Sequence, residues 1–262
     1  MTTEGGSGDG PSSLPDSSAG TDAPAGDADA APVSRYAAAV LADGPLLYYR
    51  FGEKSGSPAR DEVSGTTTPY PLTGITYGTA GHLAGDPDTA ISTDGSGALP
   101  LTLGAAEFDG AQPFSVEAWV SASPSGNDIG FLVDHENWSS SRNGWLLRVS
   151  KGDVALERWA PVGDASPTSN SVVAALPAVG GDWHYVIATF DGTTQRLYVD
   201  GARVDTNGAN IAVAKLGAPF SVGKQNCTPC SGTGFVGAMD ELAIYPKALA
   251  DDRILAHLAA AR

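Results

Sequence analysis

Cysteine, positive charge and long apolar runs are all scarce in this 262-residue sequence. Its two cysteines are too few for a four-thiolate zinc site. No apolar run approaches the roughly 18 residues of a membrane span, and the N-terminus lacks the basic region and apolar core of a secretory signal. Only 15 Lys and Arg oppose 30 Asp and Glu, which gives a net charge of −15. Such a chain is repelled by phosphate backbones, so nucleic acid is excluded as the expected partner.

The residues that are abundant favour β structure. The chain contains 33 Gly and 18 Pro, and only 17% of it is charged. This composition is typical of many short elements separated by turns. The acidic surface is compatible with cation binding and equally with a charge that only keeps the protein soluble, and both interpretations stay open.

The first 34 residues differ in composition from the rest. Residues 1–34 carry six acids and no base, with Leu14 and Val33 as their only large aliphatics. So little apolar surface cannot offset the backbone entropy of about 1–2 kcal/mol per residue that folding costs. We therefore expect a disordered acidic Gly/Ser/Asp/Pro linker over 1–34 and one folded domain over 35–262. Similar tails follow the lipidated cysteine of bacterial surface lipoproteins, so an N-terminal lipid anchor in a longer protein and a simple start at Met1 are both open.

After Arg35, short apolar runs alternate with turn residues about every ten positions, which indicates an all-β sandwich or barrel. Within 183–190 both alternating faces are largely apolar, as expected of a strand covered on both sides. Asp200-Gly201 predicts a two-residue hairpin, because a type I′ turn needs positive φ at both central positions. Helices are predicted over 34–42 and 250–261. The predicted strands are 46–51, 90–92, 98–103, 114–121, 130–134, 145–149, 154–159, 171–175, 184–191, 196–199, 202–204, 220–222 and 235–245.

Three segments resemble the laminin-G-like, concanavalin A-like jelly rolls: PFSVEAWV at 113–120, GDWHYVIATFDGTTQRLYVDGARVD at 181–205 and GFVGAMDELAIYPKALADDRILAHL at 234–258. The resemblance implies a two-sheet antiparallel jelly-roll sandwich. It also implies an extracellular or bacterial cell-surface protein, with a glycan or a surface protein as its partner. The favoured function is a non-catalytic carbohydrate-binding or adhesion module. The alternative is a structural or protein-binding jelly roll in a surface or phage-like assembly.

Two tryptophans are candidates for sugar contact. Trp138 stands among polar loop residues, and Trp159 ends a strand before Ala160-Pro161. An exposed indole can stack on the apolar face of a sugar ring, although packing within the fold is the competing role for each.

A glycanase of this fold is a minor alternative, because retaining hydrolysis needs two carboxylates about 5–5.5 Å apart. Glu117 is the single acid of its strand, and Asp240 and Glu241 are adjacent, so they are expected to face opposite sides. The same alternation separates His135 from Asp134 and Glu136. The sequence therefore predicts no catalytic residues.

Two structural features complete the expectations. Cys227-Thr228-Pro229-Cys230 leaves a local disulfide or a free pair open, and a secreted context favours the disulfide between Cys227 and Cys230. Jelly rolls that resemble this chain often hold a structural Ca²⁺. The matching positions here are Asp61, Asp94 and Asp240, and Ca²⁺ suits them because it accepts six to eight oxygens in irregular geometry. Asp61 and Asp94 as simple turn caps are the competing interpretation.

Overall fold

The described part of the chain begins with a capped helix. In the computed structural model the Ser34 side chain accepts a hydrogen bond from the backbone N–H of Ala37 at 3.0 Å and caps α1 (Arg35–Ala42). The structure describes residues 34–262 except 72, 102, 104–107, 125, 127–128, 138–141, 151, 163–164, 177–181, 209–210, 215–219 and 226–233. The predicted linker up to residue 33, Trp138, Cys227 and Cys230 lie outside the described residues. No described helix is long and apolar enough to cross a membrane.

Sixteen strands follow α1 among the described residues, and α2 (Asp251–Ala260) ends the chain. Asp251 and Asp252 lie in the first turn of α2, where negative charge suits the helix dipole. The strands are β1 (Leu47–Tyr49), β2 (Ala59–Arg60), β3 (Thr67–Thr68), β4 (Ile75–Ala80), β5 (Thr89–Asp94), β6 (Leu99–Leu101), β7 (Phe114–Ala122), β8 (Gly130–Asn137), β9 (Asn143–Ser150), β10 (Gly152–Val162), β11 (Ala165–Leu176), β12 (His184–Phe190), β13 (Gln195–Val199), β14 (Ala202–Asn207), β15 (Phe220–Val222) and β16 (Val236–Tyr245).

The strands form two large antiparallel sheets and one small one. The eight-stranded sheet has the order β14-β13-β12-β7-β16-β5-β4, with β1 also paired to β16. The six-stranded sheet has the order β11-β10-β9-β8-β15-β6, and β2 pairs with β3 alone. Six of the thirteen strand pairs in the described part of the chain join strands that are not consecutive in sequence, as in a jelly roll. The predicted all-β jelly-roll sandwich is confirmed.

The main core lies between the two large sheets, and a second core lies outside the eight-stranded one. Strand β12 contributes to both: Val186, Ala188 and Phe190 point into the sandwich, while Tyr185 and Ile187 point outward. The outward residues pack under the two helices. This outer core contains Tyr36, Ala37, Val40, Tyr48, Trp119, Tyr185, Ile187, Tyr198, Ala243, Tyr245, Leu249, Ile254, Leu258 and Ala261. The prediction of a strand covered on both faces is confirmed.

Local turn and helix signals also agree with the structure. Asp200 and Gly201 have φ of 52° and 83°, which confirms the predicted hairpin. Both predicted helices are present within a residue of their expected ends. Strand β4 was not predicted, because its apolar residues alternate with small polar ones at an edge of the sheet and leave only a weak periodic signal.

Candidate functional site

The outer face of the six-stranded sheet carries charged and aromatic side chains, and the two described helices pack on the other sheet. On β8, β9 and β10 the residues that alternate with core residues point to this face. The register sets Trp159 on β10 and Glu136 on β8 on either side of Gly144 on β9. We call this surface the Trp159 platform: Asp134, Glu136, Arg142, Arg148, Asp153, Glu157 and Trp159.

Arg142 joins Glu136 to Trp159 across the platform. Its guanidinium donates to both oxygens of Glu136, at 2.8 and 3.1 Å, and lies 3.7 Å over the centroid of the Trp159 ring. Because a cation over an aromatic face is attractive, Arg142 holds the indole in place.

Glu157 fixes the same indole from its edge. The Trp159 Nε1–H donates to Glu157 Oε2 at 3.1 Å, and Glu157 Oε1 accepts from Arg148 Nε at 2.6 Å. Arg148 also contacts Ser150 at 2.7 Å and pairs with Asp153. Burial opposes the charge of Arg148, but Glu157 and Asp153 raise the pKa of its guanidinium. Trp159 remains half-buried, so a rigid aromatic side chain meets solvent here.

The sequence reasoning about His135 is confirmed. The His135 ring lies inside the sandwich, stacked on Phe220 with centroids 3.8 Å apart. Asp134 and Glu136 lie on the opposite face, because consecutive strand residues alternate. The three residues therefore do not converge into one metal or acid–base site.

A second charged cluster lies under the helices and was not foreseen. Glu117 on β7 is fully buried and accepts hydrogen bonds from three tyrosine hydroxyls and from His257 Nδ1 at 3.0 Å. The hydroxyls belong to Tyr36 (3.3 Å), Tyr185 (3.0 Å) and Tyr245 (2.9 Å). We call these five residues the Glu117 cluster. A lone acid amid the apolar residues of SVEAWV was the only signal of it in the sequence.

His257 links the Glu117 cluster to the end of α1. Its second nitrogen, Nε2, lies 2.9 Å from Asp43 Oδ2, which also accepts from Arg253 at 2.8 Å. Burial disfavours a charged imidazole, but the bonds to Glu117 and Asp43 outweigh it and raise the pKa of His257. A carboxylate lies at each nitrogen, and the ring donates to both when it is protonated.

The fold and these arrangements can be compared with known proteins. A family model of the concanavalin A-like lectin/glucanases superfamily, of the laminin G type, matches residues 94–255, which is more than half of the chain. The chain belongs to this superfamily. The resemblance inferred from the three motifs is therefore confirmed. No curated protein sequence matches the chain.

Solved structures with the same fold include toxin binding domains. The binding domain of botulinum neurotoxin DC in complex with SialylT has 14% identity and a TM-score of 0.58, with 84% of this chain and 52% of that chain covered. The binding domain of Paraclostridial Mosquitocidal Protein 1 has 15% identity and a TM-score of 0.57, with 79% and 50% covered. This superfamily member thus spans about half the length of these chains, and at such low identity the likeness shows the fold alone.

The three carboxylates matched to the calcium site of similar jelly rolls do not lie together in this superfamily member. Asp61 accepts bonds from the backbone N–H groups of Tyr48, Val63 and Ser64 at 2.9–3.2 Å. Asp94 is exposed and accepts from Ser96 N–H at 2.8 Å. Both residues therefore order local backbone.

Asp240 lies well away from Asp94. Asp94 pairs with Val236, four residues before Asp240 on β16, which corresponds to about 13 Å along the strand. The described residues contain no group of three or more His, Cys, Asp or Glu placed to hold a metal. Calcium binding stays a prediction, as does the disulfide between Cys227 and Cys230.

The expectation that Asp240 and Glu241 face opposite sides is wrong. A register shift between Asp240 and Ala243 inserts a bulge, and Glu241 has a φ of 54°. The extra residue turns Glu241 to the outer face, where it bonds to Tyr48 and, at 3.0–3.1 Å, to Arg50. Both acids are buried, which raises the pKa of Asp240 well above its usual range and that of Glu241 to about 7.

Proposed function

We propose that this domain is a non-catalytic binding module that holds carbohydrate on the Trp159 platform. The observation that carries the proposal is the half-buried indole, held over one face by Arg142 and at its edge by Glu157. An aromatic ring that is already fixed loses little conformational entropy when a ligand stacks on it. The surrounding carboxylates can accept hydrogen bonds from sugar hydroxyls.

The charge arrangement argues against glycoside hydrolysis. Glu136 and Glu157 both lie within reach of Arg142 Nη2, at 3.1 and 3.5 Å. Both carboxylates are thus engaged by the same guanidinium, whereas hydrolysis needs one carboxyl group free to give a proton to the leaving group. The pair is therefore suited to binding and not to catalysis. Glu117 on β7 is sealed from any substrate.

The comparisons support a binding role and suggest a location. The similar domains are binding domains of toxins, one of them crystallised with SialylT. Superfamily membership and the motifs fit a protein of the bacterial surface or exterior, and we propose that location, with the acidic linker as a spacer that a lipid anchor could precede.

A protein ligand is the second candidate. A similar botulinum neurotoxin DC binding domain was crystallised with rat synaptotagmin II, with 16% identity and a TM-score of 0.54. On this chain Val173 and Val204 are 41% and 46% exposed. They lie on strands joined by the bond from Val173 N–H to the Asp205 carboxylate at 2.8 Å, and each exposes an apolar side chain that a protein partner can contact.

Glycan-array binding of the parent domain and two tryptophan variants tests the proposal. Trp159→Ala should abolish the signal, because it removes the stacking surface. The matched control Trp183→Phe changes a half-buried tryptophan on the other sheet and should leave the signal unchanged. A glycan signal that survives Trp159→Ala, or no glycan signal from the parent protein, would overturn the proposal.

A further inference from the structure

The Trp159 platform has more negative than positive charge. Apart from the buried Asp134, its described residues include three carboxylates, from Glu136, Asp153 and Glu157, and two guanidinium groups, from Arg142 and Arg148. The whole chain carries a net charge of −15, so its overall field has the same sign. A ligand that approaches the indole of Trp159 therefore enters a negative potential.

Both arginines of the platform are already paired. Arg142 makes two bonds to Glu136, and Arg148 bonds Glu157 at 2.6 Å and pairs with Asp153. Charge-assisted bonds of this kind are strong, and Glu136 is itself buried. An anionic ligand would have to displace a carboxylate that is fixed to the sheet. The arginines thus order the surface without offering a site for an anion.

We infer that the platform selects neutral glycans and rejects sialylated, uronic or sulfated ones, an inference that rests on the carbohydrate-binding function proposed above. A neutral sugar can stack on the indole and donate its hydroxyl protons to the Glu157 carboxylate, and it meets no opposing charge. An excess of one negative charge about 7 Å away in water weakens the binding of a singly charged anion roughly threefold. The carboxylates thereby set specificity by repulsion.

Matched glycan pairs test this selection. Lactose and 3′-sialyllactose, immobilised together with other neutral glycans and their sulfated partners, differ by the acidic group alone. At low ionic strength we expect each neutral member that binds to do so about threefold more tightly than its anionic partner. The ratio should shrink toward one in 0.5 M NaCl, because exposed charges are screened beyond a few ångströms.

A charge variant tests whether the platform causes the ratio of neutral to anionic glycan affinity. Asp153→Asn removes one exposed acid of the platform that does not touch Trp159, and it should bring the ratio of neutral to anionic affinity close to one. Lys224→Gln, a charge change outside the platform, is the matched control and should preserve the ratio. Anionic partners that bind as tightly as neutral ones, through Trp159, would overturn this inference alone. If no glycan of either class binds, the proposed function fails and the inference with it.

Discussion

The two large sheets carry similar chemistry on their outer faces, but α1 and α2 pack on only one of them. The Glu117 cluster and the Trp159 platform each combine carboxylates, cations and aromatic rings. Helices α1 and α2 seal the first, and Glu117 and His257 are fully buried. On the platform the side chains of Arg142, Arg148 and Glu157 keep 14–17% exposure. The comparison teaches that residue type alone does not distinguish a structural network from a binding surface; access decides it.

The largest expected effect is the loss of the buried acceptor. Glu117→Leu leaves three tyrosine hydroxyls and His257 without their shared partner, so we expect a loss of about 3–5 kcal/mol in the free energy of unfolding. Urea denaturation followed by fluorescence measures it. Glu157→Gln on the platform is the matched control, and its partly exposed ion pairs should cost less than about 1 kcal/mol. Equal losses at both positions would break the comparison.

Two similarly buried asparagines test whether buried polar groups stabilise the fold through their hydrogen bonds. Asn143 is 8% exposed and exchanges two bonds with the backbone of Ala214, at 3.1–3.2 Å. Asn170 is 7% exposed, and neither of its amide atoms has a hydrogen-bond partner. Asn143→Leu should cost about 1–3 kcal/mol, whereas Asn170→Leu should be neutral or stabilising. Thermal denaturation compares them, and a larger loss at Asn170 would contradict a stabilising role of these bonds.

The pH dependence of the free energy of unfolding should come from the outer face of the eight-stranded sheet, which α1 and α2 cover. The folded-state pKa of His257 is raised, so its stabilisation is complete below the unfolded pKa and is lost as pH rises through the folded one. Glu241, raised to about 7, acts in the same direction because the folded state holds its proton longer. The free energy of unfolding should fall by on the order of 1–3 kcal/mol between pH 5 and 8.

Two variants identify the groups that cause this pH dependence of the free energy of unfolding. His257→Gln and Glu241→Gln should each flatten the dependence measured by urea denaturation across the pH range. Arg253→Gln removes the exposed partner of Asp43 and leaves the bond between His257 and Glu117 in place, so most of the slope should persist. A stability that rises from pH 5 to 8 would show that other groups dominate the linkage.

Calcium is the smallest expected effect. Millimolar Ca²⁺ at an extracellular-type site adds about 0.5–1.5 kcal/mol, a rise in Tm of roughly 2–5 °C. Among the three predicted ligands, Asp240 has a buried oxygen without a partner, so Asp240→Asn should abolish the rise and Asp94→Asn should keep it. Calorimetry in EDTA and in 2 mM CaCl₂ measures both. If Ca²⁺ leaves the Tm of the parent protein unchanged, the predicted calcium site is wrong.

Local signals in the sequence determined much of the fold. Alternation along 183–190, the Asp200-Gly201 turn and the two helix segments each depend on a few neighbouring residues, so they could be predicted without the tertiary structure. The same alternation correctly separated His135 from Asp134 and Glu136.

Tertiary structure decided what these elements do. The bulge that turns Glu241 beside Asp240 depends on pairing with β7, and alternation alone predicts the opposite. Arg142 and Trp159 are 17 positions apart in sequence and meet only because β9 pairs with β10. Glu117 is structural because residues from both ends of the chain, Tyr36 and His257, close over it. Sequence patterns fix which face of a strand a side chain takes, whereas long-range packing decides whether that face meets a helix, another charge or water.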